Sequence, residues 1–528
     1  MQLVHNQYLV RIHLVLMLVY NDRRYEKFFY CLIFMALSIG IMGCGDFLEE
    51  SSQDEVRPST VSDLEQLLLG EGYLRTDCIY PYLELLTDNV QNAYSDNESH
   101  VTVLQQGLPV FTWDVDMFDK MEELYTTGID TWEKLYSKIK GCNVVLDMLD
   151  DVTGDENEKL NQRGQALALR GYYYLLLINT FAQPYNKEGI DLNTALGVPL
   201  IVSSAVKDEF PARESIAKVY QQIERDLLEA VDLMDKYGQN NIQYKVTPLF
   251  VYNLLSRMYL YMENWGKAAE YASVVITRNP QLRRLSDFVT IEVDEWFGDE
   301  TLTYDVNGGV LNYNSPELIW GYGDKRISEI LFQLPDIFTY PGSSPIFSVS
   351  DKFLAQHDVN DLRPACYYQR YFKSIFPMVF GSIYGSKSNL NDLSNPHRGM
   401  RVAEAYLNRA EANIRLFLEN GNENLRISAL TDLNYLREHR FRQPYEDVNI
   451  TDGQTLLEFC LDERRKELAF DDHRWFDLRR CGMPEMIHEV TINKGQVQEY
   501  RLAKGSDRYV LPIPKKVLDK NPALVQNP

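Results

Sequence analysis

The chain has 528 residues, 45% of them apolar and 24% charged, which fits two or three domains, or one large irregular one, and excludes a disordered, collagen-like or polytopic membrane protein. Fifty-three Lys and Arg stand against 76 Asp and Glu, for a net charge of −23. No lysine-rich block interrupts this, so no nucleic-acid partner is expected, because phosphate binding needs clustered cations.

At the N-terminus, Arg23, Arg24 and Lys27 precede an uncharged run from Phe28 to Gly43 that ends Ile41-Met42-Gly43-Cys44. This is the layout of a signal peptide, and it is shorter than the roughly 20 residues of a membrane-spanning helix. The last four residues resemble the lipobox of bacterial lipoproteins, with Met42 atypical. On that resemblance Cys44 is acylated and becomes the first residue after cleavage; the plainer alternative is a core cysteine. Met17 offers a more conventional start than Met1. The other cysteines, Cys31, Cys78, Cys142, Cys366, Cys460 and Cys481, form no CxxC pair, so neither a zinc site nor a disulfide scaffold is expected. The expected organisation is a signal peptide over 1–43 and an acylated acidic tether over 44–58. A helical region over 59–280, a loop-rich aromatic part over 281–400 and a second helical region over 401–528 follow.

Asp88 to Asp119 lacks clear periodicity and reads as an irregular stretch containing Trp113. Helices are predicted over 131–149 and 160–181. From Ile216 on, apolar residues at 216, 219, 220, 223, 227, 228, 231 and 234 form one helical stripe. Tyr252, Leu255, Ser256 and Tyr259, then Ala268, Ala272 and Pro280, follow the tetratricopeptide template with small substitutions. Ser256 and Ala268 are small where two helices must approach, and Tyr259 fills the groove beside them. Leu167, Gly171 and Tyr174 echo the pattern, as do Ala403 and Ala410 in a helix over 402–417. Further helices are predicted over 428–439 and 456–470, so the fold expected is mainly α, a short solenoid of helix pairs. Residues 281–400 hold 9 of the 29 glycines and 7 of the 21 prolines, which predicts loops and short strands. Trp296, Trp320, Tyr322, Tyr340, Phe347, Tyr367 and Tyr368 are scattered through them. Aromatic loops on a rigid scaffold are suited to ligand binding.

The clearest motif is Asp462-Glu463-Arg464-Arg465-Lys466-Glu467-Leu468-Ala469-Phe470, followed by His473-Arg474-Trp475-Phe476-Asp477-Leu478-Arg479-Arg480. It resembles the E-R-R-x-E-L-x-F and R-W-x-D-L-x-R blocks of the SusD/RagB family of outer-membrane lipoproteins. Three other blocks agree in order: Trp132 to Tyr136 with Asn143, Arg401 to Leu407 with Ala410 to Ala412, and Leu511 to Pro514 with Asn521-Pro522 and Gln526 to Pro528. Read from spacing alone, Glu463 and Glu467 share a helix face, so they should pair with neighbouring basic residues and across to Arg474 or Arg479. Glu463, Arg464, Glu467, Arg474, Asp477 and Arg479 are thus expected to be structural. Interleaved arginines keep the acids ionised, which is wrong for the general acid of a glycosidase. The histidines form no HExxH, and there is no GxSxG or P-loop. Neither a metal site, a cofactor nor catalytic activity is expected.

The resemblance implies a non-catalytic surface protein that is lipid-anchored in the outer membrane. It would cap a SusC-like TonB-dependent transporter and hand glycans or oligosaccharides to it, the helix pairs facing that partner and the loop-rich half holding the ligand. Asp88, Asn89, Trp113, Trp296, Trp320 and Tyr322 are the ligand-binding candidates: rings to stack on a sugar, amide and carboxylate groups for its hydroxyls. Trp132 and Trp475 are assigned to packing. An oligopeptide ligand stays open, since aromatic rings serve either, and an anchored glycoside hydrolase is the less favoured rival.

Overall fold

Side-chain caps fix several of the helix starts. Asp155 accepts hydrogen bonds from the N–H groups of Asn157 and Glu158, Ser215 from Lys218, Asp130 from Glu133 and Asp452 from Thr455, each removing an orphan donor from the first turn. In the computed structural model the described residues are 57–528 except 76–77, 94–97, 125–129, 207, 239–242, 294–299, 305–308, 324–345, 376–377, 386, 389–393 and 494. Cys44 and Trp296 therefore lie outside the described residues.

The helices in chain order are α1 (Val61–Leu67), α2 (Glu98–Phe111), α3 (Met117–Leu124), α4 (Thr131–Met148), α5 (Glu156–Phe181), α6 (Ile216–Tyr237), α7 (Pro248–Tyr261) and α8 (Trp265–Arg278). After them come α9 (Asp351–Leu354), α10 (Arg363–Tyr367), α11 (Val402–Asn420), α12 (Glu423–Glu438), α13 (Gly453–Leu468), α14 (Arg474–Arg480) and α15 (Lys515–Lys520). Helices α4 to α8 pack each against the next, α11 packs on α8, and α12 and α13 pack on α11. The helix-pair architecture read from the sequence is the one present. At the α7–α8 crossing Ser256 Oγ donates to Ala268 O at 2.9 Å, and Tyr259 stacks on Tyr271 with centroids 5.5 Å apart. One contiguous apolar core runs from Leu64 to Ile513, and Pro58–Pro528 cluster as a single unit.

Among the described residues the strands form five two-stranded antiparallel ladders. They are β1 (Val90–Asn92) with β5 (Phe347–Val349), β2 (Val289–Val293) with β3 (Glu300–Tyr304), β4 (Leu318–Tyr322) with β8 (Arg398–Arg401), β6 (Tyr368–Ile375) with β7 (Met378–Gly385), and β9 (Met486–Asn493) with β10 (Gln496–Leu502). Among the described residues of 281–400, short strands thus occur together with the short helices α9 and α10. The irregular stretch expected from Asp88 to Asp119 is a correction: it contains β1, α2 and the start of α3. Gly107 and Pro109, which argue against a helix, sit in the last turns of α2. A Cβ on Gly107 would lie 2.3 Å from the Phe347 ring, so the residue that weakens the helix is the one that lets β5 approach it.

Candidate functional site

The motif linking α13 to α14 is a buried lattice of ions. Glu467 accepts from Arg401 at 2.6 Å, from Arg440 at 2.9 Å and from the Tyr367 hydroxyl at 3.0 Å. Glu317 joins the same cluster, bound by Arg401 at 2.9 Å and Arg440 at 3.1 Å. Glu463 is held by Arg363 at 2.8 Å and by Arg437. These partners correct the pairing read from spacing: Arg474 binds Asp88 with two 2.8 Å bonds, and Arg479 donates to the Ala182 carbonyl. Glu463 and Glu467 are fully buried, so guanidinium groups from other segments surround them more closely than any neighbour on α13. Arg464 bridges Asp477 and Asn408, and Arg480 bridges Asp477 and Glu411. Burial opposes ionisation of Glu467, but Arg440 and Arg401 outweigh it and hold the carboxyl well below the usual range.

Lys387 belongs to the same lattice. Its Nζ donates to Glu467 O and Ala469 O, both at 2.8 Å, and to Asp471 at 2.6 Å, a cation at the negative end of α13. Burial brings its pKa down to about 8. Sequence reasoning misses this residue, because nothing local marks a lysine 80 residues from the helix it caps.

Beside this lattice lies an aromatic cavity. Trp320 and Tyr322, on β4, sit opposite Met400 and Arg398 of β8. The two strands meet closely because Gly399 has no side chain: a Cβ there would lie 2.4 Å from Trp320 O. Tyr172 and Phe250 meet the Trp320 ring edge-on at 5.6 and 5.0 Å, and the Tyr172 and Tyr322 hydroxyls are 3.2 Å apart. Tyr80, Arg257, His473 and Phe476 complete much of the wall. Asp472, at φ 62°, turns its carboxylate to Arg398 at 3.2 Å. Burial raises the Asp472 pKa, only partly offset by Arg398, lowers that of His473, and raises those of the Tyr80, Tyr172 and Tyr322 hydroxyls. The lining therefore offers neutral hydroxyls, rings, the Arg398–Asp472 pair, and two further charged groups, Arg257 and Asp471, each paired with a residue behind the wall. The two acids present, Asp471 and Asp472, are each engaged by a cation. The cavity volume is about 30 Å³, enough for water but below the roughly 300–1,000 Å³ of ligand clefts. Among the described residues no group of His, Cys, Asp and Glu is arranged to hold a metal ion.

The candidate residues fall into two neighbourhoods. Trp320 and Tyr322 line the cavity. Asp88, Asn89 and Trp113 lie together elsewhere, with Asn89 accepting from Arg465 at 2.9 Å and Trp113 Nε1 donating to Leu86 O at 3.0 Å. The Trp113 ring, 1% exposed, stacks on His488 with centroids 4.1 Å apart. His488 also stacks on Phe111 and places its two ring nitrogens 2.6 and 3.0 Å from the carbonyls of Phe111 and Thr87. The Asp88 side chain keeps 35% of its surface exposed. Although burial opposes it, the paired Arg474 and nearby Arg465 bring its pKa down to about 2. Trp132 meets Phe181 edge-on, and Trp475 is fully buried against Tyr509.

Residues 46–260 match a family described as starch-binding and associating with the outer membrane, and residues 359–528 match the SusD family. The chain belongs to the SusD/RagB family. Two SusD-like proteins of Formosa agariphila, P25 and P2, are 23% and 24% identical to it, each over 94% of this chain and 97% and 99% of their own length. The fold matches a crystal structure of a SusD superfamily protein from Bacteroides thetaiotaomicron with a TM-score of 0.65, at 20% identity over 89% of this chain and all of the other. A SusD-like carbohydrate binding protein from Bacteroides vulgatus gives a TM-score of 0.63 at 21% identity, over 88% of this chain and 97% of that one. SusD family members are binding proteins, not catalysts. In this member the family's charged motif is the ionic lattice that joins α11, α13 and α14.

Proposed function

We propose that this SusD/RagB protein is a cell-surface lipoprotein of the outer membrane that binds glycans or oligosaccharides without altering them and passes them to a SusC-like TonB-dependent transporter. The observation that carries this reading is the family match at both ends of the chain, over residues 46–260 and 359–528, behind a leader that ends at Cys44. Acylation of Cys44 supplies the anchor: each buried methylene contributes about 0.8 kcal/mol, so two chains hold stably where one does not. The carbohydrate-binding relative of the same fold supports a sugar ligand. Asp471 is held by Lys387 and Arg401, which leaves Asp472 without a free second carboxylate among the described residues of the lining to serve as base or nucleophile.

Of the ligand candidates, Asp88 retains solvent access and is the residue to meet hydroxyl groups. Tyr322 lines the Trp320 cavity, Asn89, Trp113 and Trp320 brace these two from behind, and Trp296 supplies a stacking ring. The test is a combined glycan and peptide array probed with residues 45–528, with palmitate labelling of the full chain and of Cys44→Ala. Binding to one class of oligosaccharide and label lost with Cys44→Ala are expected. Binding to peptides alone, release of sugar from a bound glycan, or an unlabelled wild-type chain would overturn the reading.

A further inference from the structure

The segment from Gln243 to Leu249, the end of the α6–α7 linker and the first residues of α7, separates two clefts. Lys245 and Val246 line one of about 210 Å³, and Gln243, Thr247 and Leu249 line another of about 350 Å³. The linker is fixed along its length: Gln243 O accepts from Gly321 N at 2.8 Å, Val246 N donates to Tyr73 Oη at 3.1 Å, and Lys245 pairs with Glu65. In the smaller cleft Lys245 pairs with Glu65, Gln165 accepts from the Tyr73 hydroxyl at 2.6 Å and Gln162 donates to Val61 O at 2.9 Å, although the Gln162 Oε1 finds no partner among the described residues.

The larger cleft differs in three ways. Its volume falls in the range of small-molecule sites, unlike the Trp320 cavity. Its floor is rigid: Pro280, Pro316 and Leu318 line it, and Asn279, next to Pro280, donates to Pro316 O at 2.8 Å. Its most buried polar side chain is uncommitted: Thr247 is the N-cap of α7 and 5% exposed, yet its side chain makes no capping bond. Such a hydroxyl normally serves the first-turn N–H groups. Here it stands beside them in a cleft whose rim carries Gln243 and Gln281. Pro248 at the first helical position offers no N–H, so the positive end of the α7 dipole and the Thr247 hydroxyl are what favour an acceptor oxygen at that point.

We infer that the cleft formed by Gln243, Thr247, Leu249, Gln281 and Leu318 is a second ligand site, separate from the Trp320 cavity, for one polyhydroxylated ring with an oxygen at the α7 N-terminus. Only the ligand class rests on the glycan-binding reading. Among the described residues the site has no stacking ring, so it holds a ring by amide and hydroxyl contacts on an aliphatic floor. It is an accessory site, weaker than an aromatic one.

Methyl NMR of the full-length mature chain, titrated with maltose, cellobiose and lactose, tests it. The expected result is a saturable shift of the Leu249, Leu318 and Ile319 methyl signals with at least one disaccharide, its Kd raised at least tenfold in Thr247→Val and in Gln281→Ala. Asn161→Ala in the smaller cleft should leave the titration unchanged. Gln281 is exposed, so its substitution keeps the fold if Thr247→Val does not. Methyl signals that stay fixed with all three sugars, or shifts that persist unchanged in both cleft variants, overturn the site. An array that captures a glycan while those methyls stay fixed removes this site and leaves the proposed function standing. Shifts here without any array binding do the reverse.

Discussion

Two adjoining regions handle buried carboxylates in opposite ways. Around Glu467, two arginines bind one carboxylate and share Glu317, so each buried charge faces opposite charges at hydrogen-bond distance. Around the Trp320 cavity, Arg398 at 3.2 Å is the one cation that pairs with Asp472 among the described residues, with rings and hydroxyls about it. Burial costs the same kind of group about as much in both places, and the number of cations in contact decides whether it stays ionised. One region is a clamp between segments, and the other is a soft spot in the wall between helices and strands.

The largest effect that would break this comparison is at the clamp. Glu467→Gln leaves Arg401 and Arg440 buried with too little opposing charge, and breaking a buried pair from one side costs about 3–5 kcal/mol. Urea unfolding should show that loss, and a change below about 1 kcal/mol would mean the arginines are not held by this carboxylate.

How much of this was legible in the sequence follows the same division. Local order was: the stripe from Ile216 marks a helix that the structure starts at Ile216 behind a Ser215 cap, and Ser256 with Ala268 marks a helix crossing. Side-chain partners were not. Helical spacing places Glu463 and Glu467 on one face but says nothing of Arg363, 100 residues away, or Arg401, 66 away. The same limit applies to the ligand candidates. Trp113 reads as a loop aromatic, yet it closes α2 at φ 53° and its ring is consumed by His488, far along the chain on β9. Type and neighbourhood cannot tell an aromatic that faces solvent from one that a distant strand covers.

Glu84 extends the comparison to a buried carboxyl with no cation in hydrogen-bond contact among the described residues. It accepts from Asn89 and Thr87, and burial raises its pKa from 4.5 to about 7. Between those values the native state holds a proton that the unfolded chain has released. Stability therefore falls as pH rises through this window, by an amount on the order of 3 kcal/mol. Glu84→Gln, which keeps the shape and removes the titration, should be more stable than the parent near pH 7 and flatten this slope in thermal melts. A slope identical to the parent's would assign it to other groups.

At the cavity, Tyr322→Phe removes the hydroxyl that meets Tyr172 and leaves the ring. The expected loss is about 1 kcal/mol, read as a shifted denaturant midpoint with an unchanged slope. A loss near that of Glu467→Gln would show the cavity wall to be as tightly built as the clamp.

The smallest effect is the sharpest. Asp472→Asn makes at the cavity the same carboxylate-to-amide change that Glu467→Gln makes at the clamp. The amide oxygen of the new side chain still accepts from Arg398, and asparagine tolerates the left-handed backbone at φ 62°. Because burial raises the Asp472 pKa, the native state prefers the neutral side chain more than the unfolded chain does. The carboxylate thus subtracts stability once pH rises above its ordinary value of 3.8. Neutralising it should leave stability at pH 7 within about 1 kcal/mol of the parent, unchanged or slightly higher, whereas Glu467, whose pKa is lowered, must lose stability on the same change. Equal and large losses at both positions would mean that Arg398 alone satisfies Asp472 as fully as two arginines satisfy Glu467, and that the contrast between the two regions is one of geometry rather than charge.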